Sequence, residues 1–243
     1  EIYVALGAEG RPSLPWIDHN RAVVLRNLGR FDAAIQASQS ATHALSELGQ
    51  HVEAARSQQN LALTYFVLGR YNEALDLMHG VLDALLADGR TRDAVLVELF
   101  VSDCLLQMRR FGDVLEKCQR ARMHFASMGA NLEIGQTILN GAIAYAGLAR
   151  YEEALAALAE ARSYFLDEGN DIWVATADLE RAAVLLRQGA LAESHAALEA
   201  CIALFGANDL PVKEAQAQLI SAQISAALGQ RDKASASIAR VLA

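Results

Sequence analysis

Proline is almost missing from this chain. The three present, Pro12, Pro15 and Pro211, lie near predicted helix starts, where the fixed φ of the ring is tolerated and no interior hydrogen bond is lost. Cysteine is equally scarce. Cys104, Cys118 and Cys201 are an odd set at wide spacing, which excludes a disulfide framework and predicts buried, reduced thiols. No apolar run approaches the roughly 18–20 residues that cross a bilayer, and no basic-then-apolar leader stands at the start. No Lys/Arg-rich run occurs either. With 21 basic against 29 acidic residues and a net charge of −8, bulk electrostatic binding to nucleic acid or to an anionic membrane is excluded. The expectation is a soluble, cytoplasmic protein with neither as a partner.

The chemistry of sites is missing too. His19, His43, His51, His79, His124 and His195 include no pair three or four residues apart and none with a cysteine at ligand spacing, so no metal is expected. Gly7-Ala8-Glu9-Gly10 is too short for a dinucleotide loop. No Gly-rich loop ends in Lys-Ser/Thr and no Gly-x-Ser-x-Gly elbow is present, so no cofactor is expected and the chain reads as a non-enzyme. The acidic pairs Glu152-Glu153 and Asp167-Glu168 lie at helix ends and match helix dipoles or water rather than acid–base work.

What is present is a period. Stepping by 40 residues from Gly69 reaches Gly29, Arg109, Ala149, Gly189 and Gly229. Seven residues before each marker stand Ala22, Ala62, Ser102, Ala142, Ala182 and Ala222. Two residues after come Phe31, Tyr71, Phe111, Tyr151, Leu191 and Arg231. Five after come Ala34, Ala74, Val114, Ala154, Ser194 and Ala234. A second marker falls between them at Gly49, Gly89, Gly129, Gly169 and Asp209. Between markers the apolar residues follow helical spacing, as in Leu61, Tyr65 and Leu68 or Leu75, Met78 and Val81. Glycine, where it stands at a marker, lets the chain reverse. Small residues let two helix backbones approach, and one such hairpin cannot bury its own apolar face without stacking on its neighbours.

The small–Gly–aromatic–Ala pattern of Ala22, Gly29, Phe31 and Ala34, repeated as Ala62, Gly69, Tyr71 and Ala74, resembles the tetratricopeptide repeat family in a long, forty-residue variety. The second helix carries that family's large core position at Met78, Cys118, Leu158, Leu198 and Ile238, with Ser38 an exception. The resemblance implies an all-α, right-handed superhelical α-solenoid of stacked antiparallel helix pairs. Residues 1–10 are expected to end a preceding repeat. Six tandem repeats follow at about 11–50, 51–90, 91–130, 131–170, 171–210 and 211–243, forming one continuous solenoid. Both ends look like cuts within a longer array, and the C-terminal hairpin, with Arg231 in place of the aromatic, is expected to fray first.

The first helix of each unit carries two stripes. One is steadily small or apolar, as in Val95, Leu99, Ser102 and Leu106, and predicts packing. The neighbouring stripe mixes polar and apolar groups, which fits a surface facing something other than the core; in tetratricopeptide proteins the equivalent stripe lines a concave groove. Asn20, Asn60 and Asn140 share one register on it. Each carries a donor and an acceptor for an extended backbone, resembling the asparagine ladder of long-repeat family members, here interrupted by Phe100, Glu180 and Ile220. Arg56 and Arg187 offer anchors for acidic side chains. Leu63, Phe100 and Gln136 complete the candidate peptide-binding set. A competing reading has the asparagines tie adjacent helices through backbone carbonyls. The function expected is a non-catalytic scaffold for protein–protein interaction that holds a peptide or protein segment. The alternative is the sensor or regulatory arm of a larger signalling protein, with a caspase-like protease, a regulatory ATPase or a helix-turn-helix activator as effector in the same polypeptide.

Overall fold

A computed structural model of the chain describes residues 14–242. The expected end of a preceding repeat, at residues 1–10, lies outside them. The described residues form twelve α-helices and no strand. They are α1 (Leu14–Asn27), α2 (Phe31–Glu47), α3 (His51–Val67), α4 (Tyr71–Ala87), α5 (Thr91–Gln107) and α6 (Phe111–Met128). Then come α7 (Asn131–Gly147), α8 (Tyr151–Asp167), α9 (Asp171–Arg187), α10 (Leu191–Ala207), α11 (Pro211–Ala227) and α12 (Arg231–Leu242). The glycine spacing places every start within a residue. Most helices end two residues before a marker, because the residue between is a C-cap.

The cap explains why the markers matter. At the end of α3 the Gly69 N–H donates to the Phe66 carbonyl at 3.0 Å and the Arg70 N–H to the Tyr65 carbonyl at 2.8 Å. That crossed pair satisfies the last carbonyls of the helix and requires a left-handed residue at Gly69, whose φ is +74°. Arg70 then accepts the first bond of α4, from the Ala74 N–H at 3.1 Å, so one residue ends a helix and starts the next. Arg109, Ala149 and Asp209 adopt the same left-handed conformation without being glycine. For a residue with a Cβ this costs about 1–2 kcal/mol.

The chain divides into two compact units, the first ending at Arg110 and the second beginning at Phe111. In the first, α1 to α5 each pack on the next, and α1 also touches α3. In the second, α6 to α12 do likewise, with α7 touching α9 and α9 touching α11. The small positions make these contacts: Ala22, Ala34, Ala62, Ala74, Ala142, Ala154 and Ala182 are all buried. Phe125, Phe165 and Phe205 recur forty residues apart near the ends of α6, α8 and α10 and are fully buried. The last hairpin is looser. Ile238 is 45% exposed where its counterpart Leu198 is 1% exposed. On the packing stripe of α11, Leu219 and Ala226 are exposed as well.

The three cysteines are buried and none is in a disulfide. The Cys201 thiol donates to the Ala197 carbonyl at 3.1 Å and points at the Ala175 carbonyl at 3.4 Å. Burial pushes the Cys104 thiol up to about 12 and the Cys201 thiol to about 11, so both remain protonated packing groups. Among the described residues no helix is long and apolar enough to cross a membrane.

Candidate functional site

The candidate stripe runs along the first helix of each hairpin: α1, α3 and α5 in the first unit, and α7, α9 and α11 in the second. In the first unit Asn20 is exposed on α1 and Asn60 is half-buried on α3. They do not act alike, because a residue outside the predicted set stands beside them. The His19 imidazole places Nδ1 2.9 Å from the Ser57 hydroxyl, and the Asn60 amide nitrogen lies almost evenly between the ring nitrogens, 3.4 Å from Nε2 and 3.5 Å from Nδ1. Trp16 meets the same ring edge-on at 6.0 Å between centroids. Asn60 therefore bridges two first helices through a side-chain ring and not through a backbone carbonyl. Burial, then the positive charge of Arg56, hold the imidazole below its ordinary value, so it is neutral at pH 7.

Arg56 is exposed and opens onto a small pocket of about 110 Å³ shared with Gln59, Val81, Leu85, Asp93 and Leu96. Leu63 is half-buried. Phe100 is half-buried against Phe66, with centroids 5.2 Å apart, and Phe66 rests in turn on Tyr71 at 5.4 Å. Phe100 is thus part of an aromatic row that supports the hairpin.

In the second unit Gln136 is half-buried and Asn140 buried, with interactions of its own. Arg187 is exposed, but one guanidinium nitrogen donates to the Ala146 carbonyl in the last turn of α7 at 3.3 Å, where the helix dipole favours a cation. Glu180, the residue that interrupts the asparagine register, lies between two cations. Burial raises its carboxyl above the usual range, opposed by Lys213 and then Arg187. Burial lowers the Lys213 ammonium, opposed by Glu180. That ammonium lies 5.7 Å from the Trp173 ring centroid and 6.0 Å from that of Phe205, and Trp173 stacks on Phe165 at 5.5 Å. The cluster of Glu180, Arg187, Lys213 and Trp173 joins two predicted hairpins on one face. Of its members only Arg187 is among the residues expected from the sequence to bind a peptide.

A second recurring feature was also missed. Arg70 bonds Glu73 through Nε at 2.8 Å and lies 4.1 Å over the Tyr65 ring. Arg150 bonds Glu153 at 2.9 Å and lies 4.5 Å over Tyr145. The signal was available: Arg30, Arg70, Arg110 and Arg150 fall on the same forty-residue step. It fixes the hairpin and leaves the stripe alone.

On the opposite side of the second unit, a cleft of about 910 Å³ opens between α6 and α8 over α7. Leu115, Met123, Ile138, Gly141, Tyr145 and Ala157 give it an apolar floor, and an Arg122–Glu160 ion pair crosses it. Its counterpart between α8 and α10 is about 610 Å³ and is partly filled by the Arg162–Asp178 pair, at 2.9 Å, and by Arg181. Among the described residues no three His, Cys, Asp or Glu side chains could hold a metal ion.

The sequence profile of the tetratricopeptide repeat family matches residues 13–95. Residues 13–95 are tetratricopeptide repeats by that match, and the same forty-residue helical hairpin continues through the rest of the described residues. No curated protein matches the sequence. Solved structures share the fold. Aspartyl phosphate phosphatase F from Bacillus subtilis is 12% identical with a TM-score of 0.77, over 94% of this chain and 58% of that one. The Rap conjugation gene regulator of the plasmid pLS20, in complex with the Phr* peptide, is 13% identical with a TM-score of 0.76, over 94% and 74%. A signal transduction ATPase with numerous domains and a tetratricopeptide repeat sensor, from Pyrococcus horikoshii, is 16% identical with a TM-score of 0.71, over 98% and 38%.

Proposed function

We propose that this chain is a non-catalytic interaction module that holds a peptide or an extended protein segment along its first-helix stripe. The observation that carries this is the stripe's composition. It mixes amide, charged and half-buried apolar groups, Asn20, Arg56, Asn60 and Leu63 in the first unit and Gln136, Glu180 and Arg187 in the second, with Lys213 beside Glu180. Amides can pair with both backbone groups of an extended segment, while Leu63 and the Trp173 ring supply shallow apolar contact. The peptide complex of the Rap regulator, on the same fold, supports the reading. Selection from a random peptide library on the intact chain tests it. Leu63→Glu should weaken a binder seated on the first unit, and Arg187→Glu one seated on the second, by about five- to thirtyfold, the loss of a contact worth about 1–2 kcal/mol. Affinity unchanged in both variants would reject the stripe.

A second reading, a sensor arm within a longer signalling protein, draws on the likeness to an ATPase carrying such a sensor, of which this chain spans 38%. An effector domain in the same polypeptide is its test, and a parent coding sequence without one removes it.

A further inference from the structure

Asn60 and His19 sit together on the candidate face, forty-one residues apart in sequence. The groups facing the His19 ring are few. From α1 there is Trp16, with Asp18 next in the chain; from α3 there are Arg56, Ser57 and Asn60. Asp18 is engaged elsewhere, accepting from the Ser40 hydroxyl at 3.1 Å and facing Arg21 at 3.7 Å. We infer that His19 is a positioning residue for Asn60, and that its protonation reverses the hydrogen-bonding face Asn60 presents to a ligand.

The argument is one of donors and acceptors. A neutral imidazole has one N–H and one lone pair. The Asn60 NH2 stands 3.5 Å from Nδ1 and 3.4 Å from Nε2, so the ring must offer it a lone pair; in the tautomer with Nδ1–H directed at the Ser57 oxygen, Nε2 carries that lone pair. The Asn60 carbonyl oxygen is then turned away from the ring and can accept an N–H from a ligand backbone. When the ring gains a proton both nitrogens donate. Nδ1–H keeps Ser57, and Nε2–H now repels the amide N–H and requires an acceptor. Rotation of the Asn60 amide by a half turn supplies its own oxygen and presents the NH2 outward. Arg56, on the turn before Asn60, opposes that protonation and sets how far the pH must fall. The proton comes from solvent and returns to it, and no covalent bond changes.

The inference rests on the stripe being a binding face, and its test separates the two claims. In the intact chain labelled with nitrogen-15, the Asn60 side-chain amide signals should move together with the His19 ring signals, with a midpoint below 6.5. In His19→Gln they should stay still over the same range, and in Arg56→Gln the shared midpoint should rise. Circular dichroism melts confirm that each variant is folded. Asn60 signals that ignore the His19 titration, or that still titrate in His19→Gln, overturn the coupling. In a second arm, the best library peptide is measured at pH 7.5 and pH 5.5. The wild type should change affinity by about fivefold, the worth of one hydrogen bond, and His19→Gln by less than a factor of two. A peptide that binds the wild type equally at both pH values overturns the switch. A library with no binder rejects the face itself, while the nuclear magnetic resonance arm still decides the coupling.

Discussion

Helices α7 and α9 hold equivalent places in successive hairpins of the second unit, yet they solve the same packing problem in opposite ways. At three matching positions α7 has Gly135, Gly141 and Gly147, where α9 has Ala175, Arg181 and Arg187. On α7 two of the glycines are covered by rings. A methyl group at Gly135 would stand 2.6 Å from the buried Phe165 ring, and one at Gly147 would stand 2.3 Å from the Phe111 ring. The third is uncovered: a methyl at Gly141 meets only Leu115, at 4.0 Å, and opens the floor of the larger cleft. On α9 the side chain at the cleft position, Arg181, lines and partly fills the smaller one. The hairpins differ in their turns as well, one reversing on Ala149 and the other on Gly189. Aromatic contact on bare backbone and an ion pair over a filled floor are therefore interchangeable within one repeat geometry.

The comparison can be broken, and the largest effect is expected at the covered glycines. Gly135→Ala should destabilise by about 2 kcal/mol in urea melts, since Phe165 is locked against Trp173 and cannot yield. Gly147→Ala should cost somewhat less, because Phe111 is only half-buried. Next come the turns, with opposite signs. Ala149→Gly should stabilise, and Gly189→Ala destabilise, by about 1 kcal/mol each, as left-handed backbone demands. Equal effects of the same sign would show that the two turns are not equivalent. Gly141→Ala is expected to stabilise by about 0.5–1 kcal/mol through helix propensity alone, as nothing obstructs the new methyl.

The smallest effect lies in the first unit and depends on pH. His19 has a folded value below that of the unfolded chain, so the unfolded state takes up the proton first. Stability is then full above about 6.5 and declines as the pH falls through that value. His19→Gln should flatten the slope of melting midpoint against pH between 7.5 and 5.5. An identical slope in the variant would place the titrating group elsewhere.

The hairpins were legible because their causes are local. A left-handed residue, a small residue and an aromatic ring act within one turn of their own positions, so a forty-residue step exposes them. Even the exceptions followed: Ser38, unexpected at a large core position, is fully buried all the same. The candidate face was less legible because its side chains are defined by neighbours about forty residues away. Nothing near Asn60 announces His19, and nothing near Glu180 announces Lys213. The three asparagines share a register but not a setting: Asn20 is exposed, Asn60 is held by a ring, and Asn140 is buried. The glycines of α7 were hidden for a related reason, since only the far ring reveals why a side chain is missing.

The links between the described helices, three residues each except for two at 129–130, leave no slack. A residue inserted in the middle of α8 would turn everything after it by about 100° and carry it about 1.5 Å along the axis. Leu158, Ala161 and Phe165 would no longer meet their partners, and no loop is long enough to absorb the error. In such a molecule the identity of a residue is negotiable wherever its size is right, whereas the count of residues is not. Spelling can drift far while the metre of the line is kept.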